Sequence, residues 1–184
     1  MCWITTFSGK TFHVLDPQPN EVALEDVAHA LALTNRFSGH TRFPYSVAQH
    51  SVLVSNVVPP ELMLQGLLHD SAEAYITDIP TPLKKKLEDI QEIERRICIA
   101  VGDALGVNME LKSDAVKDAD LRMFETECRD LMSNLRGYYH DVLPYDMAIV
   151  PWSWQEAKER FLWRFHTLKG LQRGKEARQM DGDI

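Results

Sequence analysis

Apolar residues recur at helical spacing along most of this chain. Between Asn20 and Asn35, Val22, Leu24, Val27, Ala28, Leu31 and Ala32 favour one helical stripe, which stops at NRFSGH, where Gly39 can end it. Ser46 and Gln49 have the spacing of a capping box, so the next helix opens at Ser46, carries His50 in its first turns and is broken by Pro59-Pro60. A third helix is expected from about Glu61 to Tyr75. The loop ITDIPTP ends at Thr81-Pro82, an N-cap followed by proline at the first helical position. The helix beyond it carries Ile90, Ile93, Ile97, Val101 and Leu105 on one stripe and closes at Gly106. Ser113 caps another helix, with Val116, Asp120, Met123, Phe124 and Glu127 along one side; Ser153 and Glu156 open the last, which continues through RFLWRFHTLKGL.

The N-terminus follows a different period. TTFSGKTFHV alternates β-formers around a Ser8-Gly9 turn, which predicts a hairpin at about residues 4–15, ahead of Pro17 and Pro19. No repeat or low-complexity block interrupts the chain. The expected architecture is an all-α bundle with a small N-terminal hairpin in one domain, residues 1–171, its helical core at about 20–171. The remainder, QRGKEARQMDGDI at 172–184, has little to bury and is expected to be a flexible tail.

Charge and cysteine content narrow the function classes. Asp and Glu number 27 against 20 Lys and Arg, so no general basic field attracts nucleic acid, although a local cluster or a metal can still hold a small anion. Cys2, Cys98 and Cys128 are odd in number and lack CxxC spacing, which predicts reduced thiols rather than a disulfide framework or a zinc knuckle. MCWITTFSGK has no apolar run of signal-peptide length and no stretch is long enough to span a bilayer, so a cytoplasmic protein without membrane partners is expected.

Polar groups sit where these helices should be apolar. His50 lies early on one helix, His69 and Asp70 follow Leu67 and Leu68 directly on the next, and Asp120 occupies an apolar stripe further on. Burying such groups without partners costs several kcal/mol. Singly, each has an ordinary reading: a hydrogen-bonded core histidine, or a solvated aspartate. Together, two imidazoles and two carboxylates form a donor set suited to a divalent first-row metal, whose charge compensates the carboxylates. Adjacent side chains on a helix diverge by about 100°, so His69 and Asp70 can share an ion only by reaching round it from two sides.

The order H…HD…D resembles the HD-domain metal-dependent phosphohydrolases, over about residues 20–125. SVAQHS (46–51) resembles their first-histidine motif, LLHDSAEAYITDIPTPLK (67–84) the HD helix and its following loop, and KDADL (117–121) the distal aspartate motif. Within that superfamily the chain is most similar to bacterial 5′-deoxynucleotidases and to the phage dATP triphosphohydrolases of the DatZ type, and ALALTNRFSGHTRFPYSVAQHS resembles the phage branch. The resemblance implies an HD-domain helical fold and metal ligands His50, His69, Asp70 and Asp120. No histidine lies between Asp70 and Asp120, whereas di-iron HD oxygenases and cyclic-dinucleotide phosphodiesterases place extra ligands there, so one ion is expected. Zn, Co, Mn, Ni or Fe would suit these ligands, and a further divalent ion can arrive with the substrate phosphates.

By the same resemblance Glu73 and Asp78 are acid/base or water-positioning residues, and Arg36 and Phe37 are a phosphate-binding guanidinium and a ring for sugar or base, with Phe at a position often held by Trp. Lys84 is a second phosphate candidate beside Lys85 and Lys86, read as solvated charges; His40 and Arg42 serve the site or an ordinary loop equally well. His13, His29, His140 and His166 are read as structural, and Trp152 and Trp154 as packing residues. The implied activity is dATP hydrolysis to deoxyadenosine and triphosphate, extending to dADP and dAMP, which would deplete dATP during phage synthesis of 2-aminoadenine DNA, in the host cytoplasm if phage-encoded. The alternatives are a 5′-deoxynucleotidase acting on dNMPs and a non-catalytic nucleotide-binding regulator. A homo-oligomer, dimer or hexamer, is implied as well.

Overall fold

The computed structural model describes residues 2–133 and 141–182, with side chains through residue 174; His140 falls outside them. A two-stranded antiparallel ribbon, β1 (Trp3–Thr5) and β2 (Thr11–His13), pairs Ile4 with Phe12 around a turn in which Gly9 takes φ +84°, as the alternation predicts. Phe12 points inward and stacks on Tyr75, and the turn is tied down by Ser8, whose N–H and hydroxyl both donate to the buried carboxylate of Asp26. The rest is helical.

Eight helices follow among the described residues: α1 (Leu24–Leu33), α2 (Val47–Val57), α3 (Met63–Leu68), α4 (Glu73–Ile76), α5 (Thr81–Lys84), α6 (Glu88–Leu105), α7 (Asp114–Leu131) and α8 (Trp154–Gly182). The centre of the bundle is α2, which touches α1, α3, α7 and α8 and is buried at every position from Val47 to Ser55. Its apolar residues serve two cores. Val47, Ala48 and Val52 join Phe12, Val27, Leu31, Leu67, Ile97 and Phe161; Leu53 and Val54 join Tyr45, Val116, Met123 and Ile149. A helix enclosed on all sides needs no polar face, so any polar residue on it must find a partner inside.

Several boundaries differ from expectation. The first helix ends at Leu33; Thr34 is extended, Asn35 forms a β-bridge with Ser46, and Arg36–Gly39 is a separate 3₁₀ turn whose end Gly39 marks with φ +78°. The helix expected from Glu61 to Tyr75 is broken. A 3₁₀ turn at Pro60–Leu62 leads into α3, and between α3 and α4 the N–H groups of Ser71, Glu73 and Tyr75 donate to the carbonyls of Leu68, Asp70 and Ala72, three residues back. Thr81 is the first residue of α5 rather than its cap, with Pro80 before it, and α5 stops after one turn, so α6 starts afresh at Glu88. Ser113 and Ser153 cap as expected, accepting from Ala115 N and Glu156 N, and Gly106 ends α6 in the left-handed region at φ +66°. The last helix runs on to Gly182, through most of the segment read as a tail. Cys2, Cys98 and Cys128 are free thiols, and no helix among the described residues is long and apolar enough to cross a membrane.

The turn after α6 bears on the site because it leads to Lys112 and Ser113. Val107 N donates to Gly102 O at 2.8 Å, which folds the chain back over Gly102. A Cβ there would meet Val107 O at 2.4 Å and Met109 Cβ at 2.9 Å. Gly102→Ala is therefore expected to destabilise by about 1–3 kcal/mol from overpacking, against roughly 1 kcal/mol gained in helix propensity. Gly170→Ala on α8, where nothing lies within 4 Å, should be neutral or stabilising. Urea denaturation of both variants checks the pair; equal midpoints would show that the turn does not pack on Gly102.

Candidate metal centre

The site is built from the buried N-terminal half of α2 outward. Ser46 caps α2 by accepting from Gln49 N at 3.2 Å, but Gln49 does not complete a capping box: its side chain donates to Val150 O and accepts from Trp152 N, pinning the segment that leads to α8. One turn on, fully buried His50 turns Nδ1 toward Glu127 Oε1 at 2.6 Å. His69, just beyond α3, donates from Nδ1 to Gly66 O at 2.7 Å. Both acceptors lack a proton to give, so both rings carry theirs on Nδ1 and turn Nε2 inward, where the two nitrogens lie 3.3 Å apart.

Two carboxylate oxygens complete the cluster. Asp70 Oδ2 is 3.1 Å from His69 Nε2 and 3.5 Å from His50 Nε2. Asp120 Oδ1, contributed by α7, is 3.1 Å from His50 Nε2 and 3.7 Å from His69 Nε2. Within the group one donor atom from each of the four residues lies within 4.8 Å of every other. Neutral imidazole nitrogen and carboxylate oxygen suit a first-row divalent ion, and a carbonyl or carboxylate behind each histidine is the support that metal-ligating imidazoles normally have. The residues present fit the group that the sequence predicts.

Charge in the cluster is distributed around these donors. Burial and the Arg36 charge act to lower the His50 pKa, but Glu127 and hydrogen bonds to Asp120 and Glu127 raise it to about 9. Burial acts to raise Asp70 and Asp120, yet His69 and Lys112 pull both below the usual carboxylate range, with His50 also acting on Asp120. The anionic form of the pair is thus favoured in a buried setting.

Three residues here had no assigned role in the sequence. Glu127 is fully buried and accepts from His50 Nδ1, from Tyr45 Oη at 2.8 Å and from Arg36 Nε at 2.9 Å. Its position two helical turns after Asp120 on the same stripe was the available signal; Tyr45, next to the helix cap, offered none. Lys112 reaches in from the loop before α7, with Nζ 2.9 Å from Asp120 Oδ2 and 4.0 Å from Asp70 Oδ1.

The other expected residues divide. Arg36 is brought to the cluster, its Nη1 3.5 Å from Asp70 Oδ2, but it is buried and paired with Glu127. Phe37 packs its ring 5.4 Å from that of Phe124 and is partly exposed. Glu73 is buried beside Lys84, with Oε1 3.8 Å from Lys84 Nζ and Oε2 without a hydrogen-bond partner. Tight winding places it on the side of Asp70, three residues back, rather than of His69. Burial, then the charges of Asp70 and Asp78, push Glu73 well above the carboxylate range, and burial likewise raises Asp78. Lys84 itself bonds Glu94 Oε1 at 2.6 Å. Arg42 is drawn to the end of α7, donating to Asp130 O from its side chain, and His40 is exposed. His13 pairs with Glu21, His29 stacks on Phe7, and His166 lies at the edge of Phe165.

Removing Glu127 leaves a guanidinium, an imidazole and a phenol buried without their common acceptor. Glu127→Ala is expected to cost on the order of 3–5 kcal/mol in stability, the scale for breaking a buried ion pair, and to weaken metal affinity about 10–100-fold. Denaturation and chelator competition measure the two effects. An unchanged metal affinity would show that Glu127 does not orient His50.

No family model matches the chain. It is 38% identical over 178 residues to YfdR, an uncharacterized protein of Escherichia coli (strain K12), an alignment that covers 94% of this chain and 99% of YfdR. An uncharacterized protein of Rhodobacter capsulatus is 34% identical over 131 residues, covering 64% of this chain and 67% of its own length. The chain belongs to the YfdR family.

Proposed function

We propose that this member of the YfdR family is a metal-dependent deoxynucleotide phosphohydrolase of the HD-domain type, with dATP as first substrate and deoxyadenosine and triphosphate as products. The observation that carries the reading is the convergence of two imidazole nitrogens and two carboxylate oxygens from α2, the turn after α3, and α7, next to a buried carboxyl group with an unpartnered oxygen.

His50, His69, Asp70 and Asp120 would hold the divalent ion, which supplies a Lewis acid for a phosphoryl oxygen and lowers the pKa of a water beside it. Glu73 takes the proton of the attacking water through its unpartnered Oε2, and burial with the neighbouring Asp70 and Asp78 charges favours its protonated form once it has done so. The water oxygen adds to the phosphorus bonded to the 5′ oxygen, that P–O bond breaks, and the 5′ oxygen leaves protonated. Glu73 passes that proton to the leaving 5′ oxygen, and Asp78, also raised, orients the water. Lys84 serves the outer phosphates by exchanging Glu94 for a phosphate oxygen, and Phe37 offers its partly exposed ring to sugar or base. A 5′-deoxynucleotidase confined to monophosphates is the second reading, favoured by one observation: the Arg36 guanidinium is already paired with Glu127, leaving fewer cations for a triphosphate. A cytoplasmic homo-oligomer, dimer or hexamer, completes the proposal.

Metal binding and chemistry separate by mutation. His69→Ala and Asp120→Ala should lose metal content and activity together, whereas Glu73→Ala should keep the ion and fold yet lose about 10²-fold or more in turnover. A His69→Ala protein with full metal occupancy and turnover would sink the ligand assignment. Substrate is decided by chromatography of products from dNTP and dNMP panels, including the 2-aminoadenine nucleotide, with several divalent ions. The expected result is early deoxyadenosine and triphosphate from dATP, with the 2-amino analogue spared. Inert dATP beside rapid dNMP hydrolysis moves the assignment to the monophosphatase; binding without turnover of any nucleotide moves it to a regulator.

A further inference from the structure

Lys112 belongs to none of the motifs that mark the site, and its position is held by packing of a loop. Gln65 on α3 secures that loop from below: its Nε2 donates to Asn108 O at 3.2 Å and Leu111 O at 3.0 Å, and its Oε1 accepts from Ser113 N at 3.0 Å. Lys112 is thereby aimed between the two aspartates. The oxygens it approaches, Asp120 Oδ2 and Asp70 Oδ1, are the ones that face away from the imidazoles; Asp120 Oδ1 and Asp70 Oδ2 face inward. Each carboxylate is thus divided, one oxygen toward the histidines and one toward the ammonium.

We propose that Lys112 is a positioning residue that keeps Asp70 and Asp120 as one-oxygen ligands and gives the loaded site its affinity for an anion. The inference rests on the metal reading of the cluster. A carboxylate free on both oxygens can close on an ion with both, filling positions that water and substrate need. An ammonium on the outer oxygen opposes that closure. It also sets the charge. The two aspartates offset a dication and Arg36 offsets Glu127, so among the groups in contact with the four donors Lys112 adds a positive charge that attracts a phosphate. The side chain is 31% exposed, so an ammonium with three donors can serve a carboxylate on its inner side and an anion on its outer side.

The test uses the full chain, stripped of metal and reloaded with Co²⁺ alone, and reads the visible spectrum and its response to inorganic phosphate. Visible Co²⁺ absorption weakens as coordination number rises. Lys112→Met should therefore bind Co²⁺ with a weaker band per ion than wild type and lose about tenfold in phosphate affinity, the scale of a lost charge-assisted hydrogen bond. Lys112→Arg should restore both. If Lys112→Met does not fold or does not load, Lys112→Gln, which keeps a donor but no charge, decides by the same comparison. A neutral variant with the wild-type spectrum and wild-type phosphate affinity overturns the role of Lys112. Wild-type chain that takes up no Co²⁺ overturns the metal reading itself, so the two failures are distinct.

Discussion

Two imidazole nitrogens that face each other at 3.3 Å, with the protons of both rings already committed to Glu127 and Gly66, need a cation between them. Two lone pairs at that distance repel, and a cation between them removes the repulsion. A proton is one answer: it makes His50 an imidazolium, held by Glu127 on one side and Asp120 on the other, and accounts for the rise of its pKa to about 9. A dication is the other, and it offsets both carboxylates together with Lys112 and Arg36. The rest of the polar interior can be traced to this requirement. Asp70 and Asp120 each turn one oxygen to that point, Lys112 meets their outer oxygens, and Glu127 turns His50.

The distance between the imidazoles is set by backbone. At Gly66 an added Cβ would lie 3.1 Å from Val58 Cγ2 and 3.3 Å from Ser55 Cα, so α3 approaches α2 more closely than most side chains allow. That approach brings His69 to His50, and Gly66 also supplies the carbonyl that fixes the His69 ring. Immediately afterwards the winding tightens to hydrogen bonds three residues back. Three residues per turn spreads neighbours by about 120°, so His69 and Asp70 reach one point from two sides, with Asp70 Oδ2 3.1 Å from His69 Nε2.

What the sequence revealed and what it concealed follow from range. His50, His69, Asp70 and Asp120 were legible because each contradicts its own helical stripe, a local signal, and the Ser46, Ser113 and Ser153 caps were legible for the same reason. The break after α3 was not, since apolar spacing from Leu62 to Leu68 carries no information about winding beyond it. Arg36 was read as a free cation for phosphate; its pairing with Glu127 joins residues 91 apart, and nothing local announces it. Lys112 is the extreme case. Its place depends on Gln65, itself on another helix, and on a turn closed over Gly102.

The Arg36 loop shows what the long-range pairing sustains. Phe37 and Ser38 are both left-handed, at φ 55° and φ 50°, and each such non-glycine residue costs roughly 1–3 kcal/mol unless its surroundings hold it. Three things hold it here. Arg36 N donates to Tyr45 O and Val47 N to Thr34 O, so the loop is closed at its base against the start of α2. The Arg36 side chain is clamped by Glu127 on α7, and the Phe37 ring lies against Phe124 one turn earlier on that helix. Glu127 therefore joins the strained loop to the His50 ring, so the same carboxylate that turns His50 also holds Arg36, the neighbour of Phe37. A loop relaxed into ordinary geometry would move Phe37 away from Phe124 and draw Arg36 out of its pairing, and Glu127 would keep only Tyr45 and His50 as partners. Strain in the loop and orientation of the ligand are thus two sides of one buried ion pair.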